Sequence, residues 1–137
     1  MSLFKVLDIA GSGMSAQALR LNTTASNMAN AESVSSSSGE TYRARQPVFA
    51  ATLNALGEAG RGAGVRVKGI VESQAPLRKE YAPAHPQADE EGYIYKPNVN
   101  MVEEMANMIS ASRSYQSNVE VAKTCKQLLA QTLTMGE

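Results

Sequence analysis

The chain has no tryptophan, one histidine and one cysteine, and aromatic residues make up only 5% of its 137 positions. Large rigid rings dominate ordinary cores, so their scarcity excludes a core built around aromatic anchors. Cys125, standing alone, cannot form an internal disulfide, and a buried structural thiol is its ordinary role. The fold therefore does not depend on an oxidising compartment. Thirteen basic residues offset thirteen acidic ones, which removes any electrostatic case for nucleic acid or an anionic membrane surface. No apolar run approaches the roughly 18 residues needed for a transmembrane helix. Lys5 and Asp8 interrupt the first ten residues, so no cleaved secretory signal is expected.

What the chain does have is a seven-residue apolar rhythm at both ends. Leu7, Met14, Leu21 and Met28 recur every seven residues, with Leu3, Ala10, Gln17 and Thr24 in the matching slot. Near the other end Met101, Met105, Met108, Ser112, Tyr115, Val119, Ala122, Lys126, Leu129 and Leu133 advance by alternating steps of four and three. Both patterns are a/d seams that pack on other helices. Residues 3 to 30 carry only Lys5, Asp8 and Arg20 as charges; the rest is rich in Ala, Ser, Asn, Thr and Gly. Small uncharged side chains allow close approach without burying an unpaired charge, so the first helix is expected to have protein on most sides. A chain of this size cannot supply that cover, and the neighbours must be other copies or partners.

Three regions follow: an N-terminal helix over 1–30, a linker, β-hairpin and extended region over 31–98, and a C-terminal helix over 99–137. The first helix is predicted to start after an N-cap at Ser2 and run to about Asn30. Ser33 and Ser35 to Ser38 mark a linker over 31–40. A hairpin is predicted from Tyr42 to about Val71, from QPVFAATL and the alternating VRVKGIV, with a helix over Val48 to Leu56 as the other option. Gly57, Gly60, Gly62 and Gly64 break the stretch between. Pro76, Pro83, Pro86 and Pro97 then punctuate an extended segment. Asn100 followed by Glu103 resembles a capping box, and Glu103 and Glu104 suit the start of the second helix. Two rods of similar length at opposite ends can pair side by side. The fold class expected is mainly α: long terminal helices in an antiparallel coiled coil, with a small β-hairpin and extended middle.

No constellation of residues makes a case for catalysis. GSG at 11–13 and GRGAG at 60–64 lack the Lys-Ser/Thr of a P-loop. His85 with Asp89, Glu90 and Glu91 offers metal-type groups, but it is the one histidine, and the stretch reads as a solvated turn. A metal-dependent hydrolase there is the enzyme alternative. Cys125 has only Lys123 and Lys126 nearby in sequence, which is weak support for a nucleophile. Arg43, Arg45, Arg61, Arg66, Lys68, Arg78 and Lys79 make the middle locally basic, and in an assembly they suit acidic groups of an adjacent copy. No cofactor, metal or small-molecule substrate is expected.

Particular strings add a resemblance. RLNTTASNMANAES, residues 20–33, resembles the N-terminal signature of the bacterial flagellar axial family of rod, hook and hook-associated proteins, and EMANMISASRSYQSNVEVAKTCKQLLAQTLTMG, residues 104–136, resembles its C-terminal counterpart. YRARQPVF at 42–49 and ADEEGYIYKPNVNMVEEM at 88–105 are similar to its short proximal-rod branch. The resemblance implies a structural subunit of the periplasmic rod that polymerises through its terminal helices around an export channel and transmits torque. It implies as partners copies of the chain, other rod proteins, the junction protein at the membrane-embedded base, and the flagellar type III export apparatus. The assembly interface is expected at Leu3, Leu7, Met14, Leu21, Asn27, Met28 and Asn30 at one end. At the other it is expected at Met105, Met108, Tyr115, Val119, Ala122, Leu129 and Leu133. Termini that fray in the monomer and order on assembly would follow. A stand-alone coiled-coil adaptor shares the heptads, but it requires a charged outer face that the first helix lacks.

Overall fold

A computed structural model describes residues 2–52 and 63–136. Helix α1 spans Leu3–Ala29 and helix α2 spans Met101–Met135. Between them lie β1 (Arg45–Thr52), β2 (Gly64–Glu72), β3 (Arg78–Tyr81) and β4 (Tyr93–Lys96). The strands form two antiparallel ribbons, β1 with β2 and β3 with β4.

Each helix begins where local chemistry satisfies its free amides. The Ser2 hydroxyl accepts from the Lys5 amide at 3.3 Å, and the Asn100 side chain accepts from Val102 and Glu103 at 3.1 and 3.3 Å. Asn30 closes α1, its amide N–H and its Nδ2 both donating to the Ser26 carbonyl. Inside α1, the Thr23 hydroxyl donates to the Leu19 carbonyl and Ser12 to that of Ile9, so these two hydroxyls are satisfied within the helix, while the buried Gln17 Oε1 has no partner.

Val48 to Thr52 lie in strand β1, so the helical option for this stretch fails over its described part; residues 53–56, and Gly57, Gly60 and Gly62 at the expected tip, lie outside the described residues. The register shifts between Val48, paired with Gly69, and Phe49, paired with Val67, which leaves Lys68 as the extra residue of a bulge in β2. The ribbon runs back along α1 from Arg45, held by Asn27, to Val65, whose amide donates to the Ser12 hydroxyl at 3.0 Å. The segment expected to be simply extended holds the second ribbon. Prolines 76 and 97 lie just outside its strands, and Pro83 and Pro86 fall in the connecting loop, so no ladder amide is lost. That loop closes through Asp89, whose Oδ1 accepts from the amides of Glu91 and Tyr93, and through Gly92 at φ +85°.

The apolar core is small. Ala31, Ala44 and Val99 are buried together, with Tyr42 packed against them. It sits where the end of α1, the start of β1 and the approach to α2 meet.

Candidate assembly surfaces

Asparagines build the joint around that core. Asn27, buried near the end of α1, donates from Nδ2 to the Arg45 carbonyl at 2.8 Å. Its Oδ1 accepts from the Arg45 amide at 2.9 Å and from the Tyr42 hydroxyl at 2.8 Å. Asn98 holds the neighbouring residue from the other terminal segment: its Oδ1 accepts from the Ala44 amide at 2.8 Å, and its Nδ2 donates to the carbonyls of Ser73 and Ala75. Arg78 adds Nε to the Pro97 carbonyl at 3.1 Å and a second donation to the Ala31 carbonyl at 3.0 Å. Burial pushes the Tyr42 hydroxyl above its ordinary pKa, against the opposing pull of Arg45.

The second ribbon is tied in by charge. Lys96 lies 2.9 Å from Glu80 and 3.8 Å from Glu32, and Arg78 lies 3.8 Å from Glu32. The hydrogen bond from Lys96, reinforced by its charge, holds the Glu80 carboxyl below the usual carboxylate range. Lys79 sits over the Tyr93 ring, 4.1 Å from its centroid, and Tyr81 meets the same ring edge-on.

The two helices touch through small and polar groups. Asn118 lies against Gly13, where a Cβ would come within 2.8 Å of its Nδ2. Arg20 donates to Asn107 Oδ1 at 2.9 Å. On α2 the buried residues are Glu104, Ala111 and Cys125; on α1 they are Ala10, Ala16, Thr23, Thr24 and Asn27. Glu104 shares a cleft with Arg20, Arg45 and Asn107, so its buried carboxylate has cations within the same recess.

The residues singled out from the heptads fall into two environments. Leu3, Leu7, Met14, Leu21 and Met28 on α1 are half-buried, as are Met108, Ala122 and Leu129 on α2. Met105 is 52% exposed and Leu133 74% exposed, and Tyr115 and Val119 also face solvent. Asn27 is buried and Asn30 half-buried, and in this chain both bond locally. Beyond Leu129 every described residue of α2 is exposed. Of the joint residues, Pro97 and Arg78 entered the sequence reading only as a break in an extended segment and as one of the basic middle residues, and Asn98 was not singled out. An asparagine two residues ahead of a helix cap, after a proline, was the available signal.

Among the described residues no cluster of His, Cys, Asp or Glu suits a metal ion. His85 Nδ1 accepts from the Gln87 amide, and Asp89 is engaged in its own turn.

Residues 7–34 match the family described as flagella basal body rod protein, and residues 90–135 match the one described as flagellar basal body rod FlgEFG protein C-terminal. The chain is 52% identical over 137 residues to the flagellar basal-body rod protein FlgC of Yersinia enterocolitica, with all of both chains covered. Identity to FlgC of Escherichia coli O157:H7 is 51%, again with all of both covered, and to FlgC of Borreliella burgdorferi 36%, with 98% of each covered. With identities of this size over the full length of both chains, the chain belongs to the FlgC type of the flagellar basal-body rod protein family, a structural and non-enzymatic family.

Proposed function

We propose that this rod subunit polymerises through its two terminal helices around the flagellar export channel and carries torque from motor to hook. Regions 1–30 and 99–137 form the axial core as an antiparallel coiled coil, and 31–98 reaches over neighbouring subunits. Two contacts support that sense of pairing. Gly13 meets Asn118 while Arg20, farther along α1, meets Asn107, farther back on α2.

One observation carries the reading. A compact monomer of 14.6 kDa exposes about 6,900 Å², whereas this chain exposes 9267 Å². The difference, about 2,400 Å², exceeds the roughly 800 Å² that each partner gives to an ordinary stable interface. Exposed apolar side chains on α2 include Met105, Tyr115, Val119 and Leu133. These residues, with Ala122, Met108 and Leu129, form the C-terminal part of the interface between subunits. Leu3, Leu7, Met14, Leu21 and Met28 form the N-terminal part, and Asn27 and Asn30 hold its end in shape. The partners are copies of the chain, the other rod proteins and the junction protein at the membrane base, within the periplasmic rod. Delivery is by the flagellar type III export apparatus, as family membership implies.

Met105→Asp and Leu133→Asp test this. Both sites are exposed, so each change is expected to alter monomer stability by no more than about 0.5 kcal/mol. Helicity by circular dichroism should be kept, while basal bodies fail to form and swimming is lost. Normal swimming by both variants would overturn the reading.

A further inference from the structure

Glu104 is 5% exposed, the one buried charged side chain among the described residues. It lines the cleft between α1, β1 and α2, a space of about 240 Å³, with Arg20, Arg45, Gln46, Phe49 and Glu103 also in its walls. The two cations there are engaged elsewhere. Arg20 donates to Asn107 at 2.9 Å, and Arg45 turns to Glu72 at 3.5 Å and lies over the Tyr42 ring. Among the described residues, no ion pair or side-chain hydrogen bond reaches the Glu104 carboxylate, whereas Glu32, Glu72 and Glu80 all have cationic partners. With Arg45 drawn off by Glu72, Arg20 faces two carboxylates, Glu103 and Glu104. The cleft is short of one positive charge. Leaving a buried carboxylate unpaired is costly, and folded proteins supply a partner.

We infer that an arginine or lysine side chain of an adjacent rod subunit enters this cleft and pairs with Glu104. The inference rests on the chain acting as a rod subunit and adds the kind of side chain its neighbour contributes. Charge complementarity selects a cation, and the walls select one carried on an aliphatic stem. Pro47 and Phe49 offer apolar surface along which such a stem packs while its charged head reaches the acid. The space is well above the roughly 30 Å³ of one water. No third acid, histidine or cysteine joins the two glutamates, so a metal ion lacks ligands among the described residues. Met105, the next residue of α2, is exposed, so the cleft adjoins the surface proposed to meet neighbouring subunits. A pair made in such a recess fixes which neighbour is accepted, and in what register, more than it adds affinity.

Glu104→Gln separates the free subunit from the rod. In the free subunit the carboxylate has no partner to lose, so the urea midpoint of unfolding should hold or rise. In the rod the neighbour's cation loses its counter-charge, so basal-body number by electron microscopy and swimming should both fall. A lowered midpoint would overturn the inference, because Arg20 or Arg45 would then already serve Glu104 within the chain. Unchanged basal bodies and swimming would overturn it as well. A second experiment reads the occupant directly. With the photoreactive p-benzoylphenylalanine in place of Gln46, which is exposed at the cleft, isolated basal bodies are irradiated and the adducts mapped by mass spectrometry. The expected adduct joins two rod subunits, and the captured segment carries an arginine or lysine. Intact basal bodies with no adduct between subunits, or with a captured segment lacking both residues, would sink the inference and leave the rod reading standing.

Discussion

Asn27 satisfies three polar groups at once, and that makes it the most consequential single side chain in the joint. Asn27→Ala leaves the Arg45 main chain and the Tyr42 hydroxyl without these partners. The loss is expected to cost about 2–4 kcal/mol, since each stranded buried group costs about 1–3 kcal/mol, and urea denaturation measures it. Nothing in the heptad pattern distinguishes Asn27 from Asn22 or Asn30. It stood out only through the family string, because the strand it binds begins 18 residues later. Glu80 gives the residue scale a pH signature. Its folded-state pKa is lowered, so the stabilisation from Lys96 is complete above the ordinary carboxylate value of about 4.3 and fades as pH falls through the lower folded value. Below pH about 4.3, NMR should show the Lys96 side-chain signals shifting with acid in the parent, and a smaller shift in Glu80→Gln.

At the scale of elements, the helix ends were legible because caps are local. Ser2 and Asn100 start their helices as the sequence predicts, and α1 ends within one residue of the expected Asn30. Asn100→Ala should destabilise the start of α2 by about 1 kcal/mol, read as faster amide exchange at Val102 and Glu103, whose N–H groups the cap accepts. The first hairpin was legible from its period of two. The second was not, because prolines in its flanks and loop masked two strands of four residues each. Heptad spacing marks apolar side chains without saying which neighbour covers them. On α2 the groups buried in this chain are Glu104, Ala111 and Cys125, one step around the helix from Met105, Ser112 and Lys126. Periodicity alone therefore cannot separate a seam within the chain from one between chains.

At the scale of the whole molecule, the chain joins two long helices and two ribbons through one small apolar cluster and a set of hydrogen bonds. Charge depletion in α1 is the sequence signal for neighbours around this helix, and the 9267 Å² of exposed surface leaves area for them to cover. The last turns of α2, exposed beyond Leu129, are held only by bonds within the helix, its backbone ladder and the Thr132 and Thr134 hydroxyls donating to the Leu128 and Gln131 carbonyls. Hydrogen exchange should be fast there in the dilute subunit and strongly slowed in isolated basal bodies; equal protection in both states would show that the neighbours add no cover.

The grip on Ala44 and Arg45 has a mechanical meaning. Asn27 of α1 and Asn98, just ahead of α2, clasp adjacent main-chain amides, so a strain applied at either helix reaches the strand through one short side chain. Because the clasp holds backbone atoms, its stiffness does not depend on the Arg45 side chain, whereas Ala44 is fixed by its place in the apolar cluster.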